Sequence, residues 1–155
     1  MVFWKVVLTL MFLPLAVLYH LARIIFGKER AQKWFYDIIV AISARVLALN
    51  IPTLEKDQPF SVFSDNFMKA MGKMPFEEIA VSVQTNEIFQ LNITRCQFVE
   101  VFQFLKMPEL VKALCEGDVV FCEKYQPLIQ FQREHKISDG DDFCDHTYFH
   151  HPNIS

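Results

Sequence analysis

Four cysteines, five histidines and a surplus of acids are the side chains here with chemistry to offer. Three of the thiols stand beside polar partners. Cys96 follows Arg95 at the end of an alternating run, Cys115 precedes Asp118 by three residues, and Cys144 is followed by Asp145 and His146. Only a thiolate attacks, so a nucleophilic cysteine needs a base or a cation nearby. His146, two residues beyond Cys144, is the best-placed base. Arg95 or Arg133 can clamp a substrate carboxylate. Cys122, seven residues after Cys115, reads as an inert core thiol. Two helical turns, about 10.5 Å, separate those two cysteines, too far for a disulfide. The chain has no C-x-x-C pair, and a zinc site would require Cys96, Cys115, Cys144 and His146 to converge from four elements. No metal and no cofactor are expected.

These side chains must be positioned by two kinds of element. Phe35, Ile38, Ile39, Ile42, Val46 and Leu49 recur at helical spacing over Lys28–Leu49, which Asn50-Ile51-Pro52 stops. A short helix is expected over Val62–Met71, ending at Gly72, and helical spacing returns at Phe98–Leu105 and from Pro108 to about Lys124. Period two marks the strands: 79–84 and 89–96 as a hairpin, 128–133, and 143–150 beyond the acidic turn 138–142. On the last strand Cys144, His146 and Tyr148 share one face and Asp145 points to the other. Alternation from Phe89, Leu91 and Ile93 places Cys96 on the polar side of its strand. The fold expected is α+β, with N-terminal helices packed on a small antiparallel sheet of about four strands.

Residues 1–52 hold six Lys/Arg against two acids, and residues 53–155 hold nine against sixteen, so the net charge of −3 is split into about +4 and −7. The basic residues surround the most apolar part of the chain, which points to a membrane surface and away from nucleic acid. Residues 1–26 are read as an apolar helix, either a membrane anchor or a helix buried against the rest of the chain and kinked at Pro14, and 27–155 as the α+β domain. The 17 residues between Lys5 and Arg23 span about 26 Å, short of the ~30 Å hydrocarbon core. Arg23, Lys28, Arg30 and Lys33 lie where a signal peptide would be cleaved, and would hold the following domain in the cytoplasm, at the inner face of the membrane.

The order of elements resembles a known family. Asn92-Ile93-Thr94-Arg95-Cys96, then Leu114-Cys115-Glu116-Gly117-Asp118, then Gly140-Asp141-Asp142-Phe143-Cys144-Asp145 are similar to the motifs of the L-2-amino-thiazoline-4-carboxylic acid hydrolases. Those motifs are a cysteine closing a strand, an L-C-x-x-D helix and a G-D-x-x-C-D ending. The resemblance covers residues 28–149, and departs from the usual aromatic-then-basic continuation at His146 and Thr147. It implies hydrolysis of a cyclic isothiourea to N-carbamoyl-cysteine, with Cys96, Cys115 or Cys144, Asp118 or Asp145, and Arg95 or Arg133 in the site. A second reading is a non-catalytic small-ligand-binding or sensor module tethered to a membrane. The cysteine-ending C-terminal hairpin is similar to vinyl-reductase-type binding domains.

Overall fold

A computed structural model describes residues 2–73 and 76–151. Helices α1 (Val2–Phe26), α2 (Lys28–Asn50) and α3 (Ser61–Gly72) precede strands β1 (Glu77–Gln84) and β2 (Ile88–Cys96). Then come α4 (Gln97–Phe104), a 3₁₀ turn at Pro108–Leu110, α5 (Val111–Tyr125), β3 (Ile129–Gln132) and β4 (Cys144–His150). The strands form one antiparallel sheet in the order β1-β2-β4-β3. The architecture is α+β, and each strand end lies within two residues of its expected position. Gly27, at φ 86, makes the reversal between α1 and α2 in a conformation that only glycine adopts easily.

The β1–β2 register shifts twice, at Ser82 of β1 and at Thr94 of β2. Glu78 pairs with Arg95 and Ile79 with Ile93, so Thr94 is left over in a bulge of β2. One extra residue reverses the facing of everything beyond it. Cys96, expected on the polar side with Asn92, comes instead to the covered face opposite Glu77, and Arg95 turns outward.

Two apolar cores result. Phe89, Leu91 and Tyr148 of the sheet meet Phe63 and Phe67 of α3 and Phe121 of α5. The second core joins Leu8 and Tyr19 of α1, Ile39 of α2, Phe102 of α4 and Ala113 of α5. Buried Gln126 pins the segment after α2, accepting from the Leu54 N–H and donating to the Pro52 carbonyl, both at 3.0 Å. Between the cores α5 carries Cys115 and Asp118, and Gly117 lets its backbone approach α2. A Cβ there would lie 1.8 Å from Ser43 Oγ and 2.7 Å from Ser43 Cβ. Gly117→Ala is therefore expected to cost about 1–3 kcal/mol. Urea titration should show most of this regained on adding Ser43→Gly.

Candidate functional site

Arg133 is the first residue beyond β3, and its side chain is 3% exposed. Its Nη1 donates to Asp118 Oδ2 at 2.9 Å and to His146 Nε2 at 3.1 Å, while Nη2 donates to the Cys115 carbonyl at 2.8 Å. One guanidinium thus joins α5 to β4 and to the end of β3. Its Nε is buried with no hydrogen-bond partner among the described residues. Arginine has no acceptor, so His146 Nε2 must be the unprotonated nitrogen and the ring proton sits on Nδ1, 3.5 Å from the Tyr148 hydroxyl.

Burial holds His146 down to about 3, with Arg133 adding to the effect, so the ring is neutral at physiological pH. Burial also pushes Asp118 up to about 6, against the pull of Arg133. For Arg133 burial opposes the charge, and Asp118 with the neighbouring thiols more than offsets it.

The thiols border this centre. Cys144 Sγ accepts the Ile137 N–H at 3.2 Å, and the Cys115 thiol donates to Ser138 Oγ at 3.6 Å, so adjacent residues of one turn hold both. Cys96, at the start of α4, reaches Glu77 Oε1 at 3.7 Å. Burial lifts Cys115 to about 11 and raises Cys144, so neither is a resting thiolate. Cys96 is raised further, by burial and then by Glu77, although the Val99 and Phe98 N–H groups pull the other way. Glu77 itself is pushed up to about 7, chiefly by burial and then by Asp118.

The structure therefore gathers Cys115, Asp118, Cys144, His146 and Arg133, with Cys96 joined through Glu77. Two residues singled out in the sequence lie apart. Arg95 pairs with Glu100 at 2.6 Å and with Glu78 at 3.8 Å on a half-exposed side chain. Asp145 faces away from the site and accepts the Glu134 and His135 N–H groups, fastening the loop after β3. Cys122 packs beside Phe121 in the core. Glu77 carries no motif and precedes the strand expected from Ile79; its register with Cys96 was the signal, hidden by the bulge. Next to the cluster, Val119, Phe131, Arg133 and Lys136 line part of an open groove of about 420 Å³. Among the described residues no three His, Cys, Asp or Glu side chains are arranged to hold a metal ion.

The family model for L-2-amino-thiazoline-4-carboxylic acid hydrolase matches residues 7–148, nearly the whole chain. The chain belongs to that family. In this hydrolase-family domain the matched stretch includes α4, α5, β1 to β3 and β4 as far as Tyr148, and hence every residue of the cluster. Among solved structures, the phenol-responsive sensory domain of the transcription activator PoxR, crystallised with phenol, is similar at 10% identity and a TM-score of 0.45, over 88% of this chain and 73% of that one. No match is found among curated proteins.

Glu77 holds its proton more tightly in the folded chain, from an ordinary value of 4.5 up to about 7. Its contribution therefore destabilises the fold as pH rises through that window. Asp118 acts in the same sense, and His146, charged only when unfolded, acts in the opposite one. Glu77→Gln isolates a single group. Relative to the parent it is expected to gain about 1–2 kcal/mol between pH 5 and pH 8, measured by urea titration at each pH. A constant difference would mean that Glu77 titrates as a solvated acid.

Proposed function

We propose that this chain hydrolyses a small cyclic isothiourea bearing a carboxylate, with L-2-amino-thiazoline-4-carboxylate as the type substrate. The water oxygen ends on the carbon between nitrogen and sulfur, the carbon–sulfur bond breaks, and the ring sulfur leaves as the thiol of N-carbamoyl-cysteine. Family membership supports the reaction class. The observation that carries the residue roles is a pair of carboxyls held near neutral pH beside a buried arginine with one unused N–H. Acid–base catalysis is most effective when the group's pKa lies near the working pH.

In this reading Glu77 is the base, acting on water or on the Cys96 thiol 3.7 Å away. Where the thiol is the nucleophile, its proton passes to Glu77 as the sulfur adds, the ring carbon–sulfur bond breaks, and water then displaces the Cys96 sulfur, which leaves again as the thiol. Asp118 supplies a proton to the ring nitrogen, and the carboxylate is received in the adjoining groove by Lys136, over the buried positive charge of Arg133. Cys115, Cys144 and His146 shape and orient the centre. All four cysteines are free, which fits a reducing compartment, and we place the protein in the cytoplasm against a membrane.

A non-catalytic ligand-binding role at the same residues has one observation in its favour. Burial raises every thiol, and the His146 lone pair is already taken by Arg133. Turnover separates the two. Incubation with L-2-amino-thiazoline-4-carboxylate is expected to yield N-carbamoyl-cysteine, followed by mass spectrometry and by release of a titratable thiol. Glu77→Gln and Asp118→Asn should each lower kcat/KM by roughly 100-fold, while Cys122→Ala leaves it unchanged in the folded fraction. The rate should be highest between about pH 6 and pH 7, falling below as Glu77 takes up its proton and above as Asp118 loses its own. Saturable binding without product would establish the ligand-binding role, and neither binding nor product would exclude both.

A further inference from the structure

Helix α1 is inside out. Every exposed residue between 3 and 26 is apolar, while its polar side chains, Lys5, Thr9, Tyr19, His20 and Arg23, are buried or half-buried. Lys5 pairs with Glu100 at 2.9 Å, Tyr19 donates to Glu109, and His20 Nε2 meets the Leu105 carbonyl at 3.0 Å. A surface helix in water has the reverse arrangement. The apolar window of α1 has a mean hydropathy of 1.8 and is 17% buried, whereas a core helix would be mostly covered.

Helix α2 extends this surface. Trp34, Ile38, Ile42, Val46 and Leu49 are exposed at helical spacing, and the Trp34 ring contacts that of Phe26 at 5.2 Å. Sixteen of the eighteen large apolar side chains exposed among the described residues belong to these two helices, so the surface is one continuous plate rather than scattered residues. Lys28, Arg30 and Lys33 are exposed where the two helices join, and none of them is in an ion pair among the described residues.

We propose that α1 and α2 dock the protein on an anionic lipid bilayer, with α1 lying flat in the interface. Its outward face enters the acyl region, and Lys28, Arg30 and Lys33 meet the headgroups. Two arguments select this occupant and pose. A protein partner leaves a polar rim around an apolar centre, but the exposed face of α1 has no polar residue along its length, and the cations beside it suit a negative leaflet. Spanning is opposed by the inward contacts: Lys5 near one end, Tyr19 and His20 near the other, and the Phe12 ring against Phe102 at 4.9 Å between them. A crossing helix would surrender all of these.

The test uses the full chain and flotation with vesicles of phosphatidylcholine, alone or with one quarter phosphatidylglycerol. The parent should float with the anionic vesicles and more weakly with the neutral ones. Leu10→Glu/Val17→Glu/Ile24→Glu changes only exposed positions and should abolish flotation with an unchanged thermal melt. Lys28→Ala/Arg30→Ala/Lys33→Ala should weaken binding to anionic vesicles roughly 100-fold, at about fivefold per cation. Pose is read from Phe3→Trp, Leu13→Trp and Ile24→Trp, each quenched by lipids brominated at graded depths. Equal shallow depths at all three support the flat pose, and this readout stands even if the triple glutamate variant fails to fold. A depth gradient through the bilayer centre would overturn it in favour of spanning. Absence of flotation by the parent, or a dimer in sedimentation that covers the plate, would overturn docking altogether.

Discussion

A guanidinium taken out of water must find its counter-charge and acceptors within the chain, because an uncompensated buried charge is costly enough to unfold a domain of this size. Arg133 meets that requirement with a carboxylate and a backbone carbonyl from α5 and an imidazole from β4. Each partner is set at hydrogen-bond distance, so the height and rotation of α5 over the sheet are not free. The helix is held from the other side at Gly117, where α2 comes too close for any side chain. Lysine would not substitute, since its point charge lacks the planar fork that reaches three acceptors at once.

The same burial decides the protonation states around it. A carboxyl, a thiol and an imidazole all lose their charged forms when water is removed, so Asp118 and Glu77 move up, the thiols move up, and His146 moves down. The outcome is a centre with one permanent cation and two acids that change charge near neutrality. One environment thus leaves two carboxyls that lose their protons in turn as pH rises, Asp118 before Glu77, with Arg133 nearest the more acidic of the two.

Much of this was readable from spacing. Cys144, His146 and Tyr148 share a face because strands alternate, and their cross-strand neighbours Ile93, Leu91 and Phe89 are the apolar positions of β2. The helix bearing Cys115 and Asp118 was equally plain. Three features were not. Thr94 fits a regular strand, so the bulge that brings Cys96 to Glu77 has no local mark, and Glu77 looks like any charged residue before a strand. Arg95 and Arg133 are equivalent in sequence, both at strand ends, and only the tertiary arrangement buries one and leaves the other paired with Glu78 and Glu100. The apolar run of residues 3–26 announces a helix but not which side carries the polar contacts, because that depends on α4 and the 3₁₀ turn folding against it.

Those polar contacts link the two unusual regions of the molecule. Lys5 of α1 and Arg95 of β2 converge on Glu100 of α4, whose carboxyl they hold down at about 2, and Arg95 reaches on to Glu78, the neighbour of Glu77. Strand β1 is an edge strand, paired with β2 alone. What fixes the position of its first residues is the register opposite Cys96 and Arg95 and this line of alternating charge. Charges half-exposed as these are contribute little stability one by one, but they set geometry: Glu78 is drawn outward to Arg95, and in an extended strand its neighbour must then face inward. The inward position of Glu77 is thus a consequence of where the outward charges go, and α1, through Lys5, is part of that arrangement.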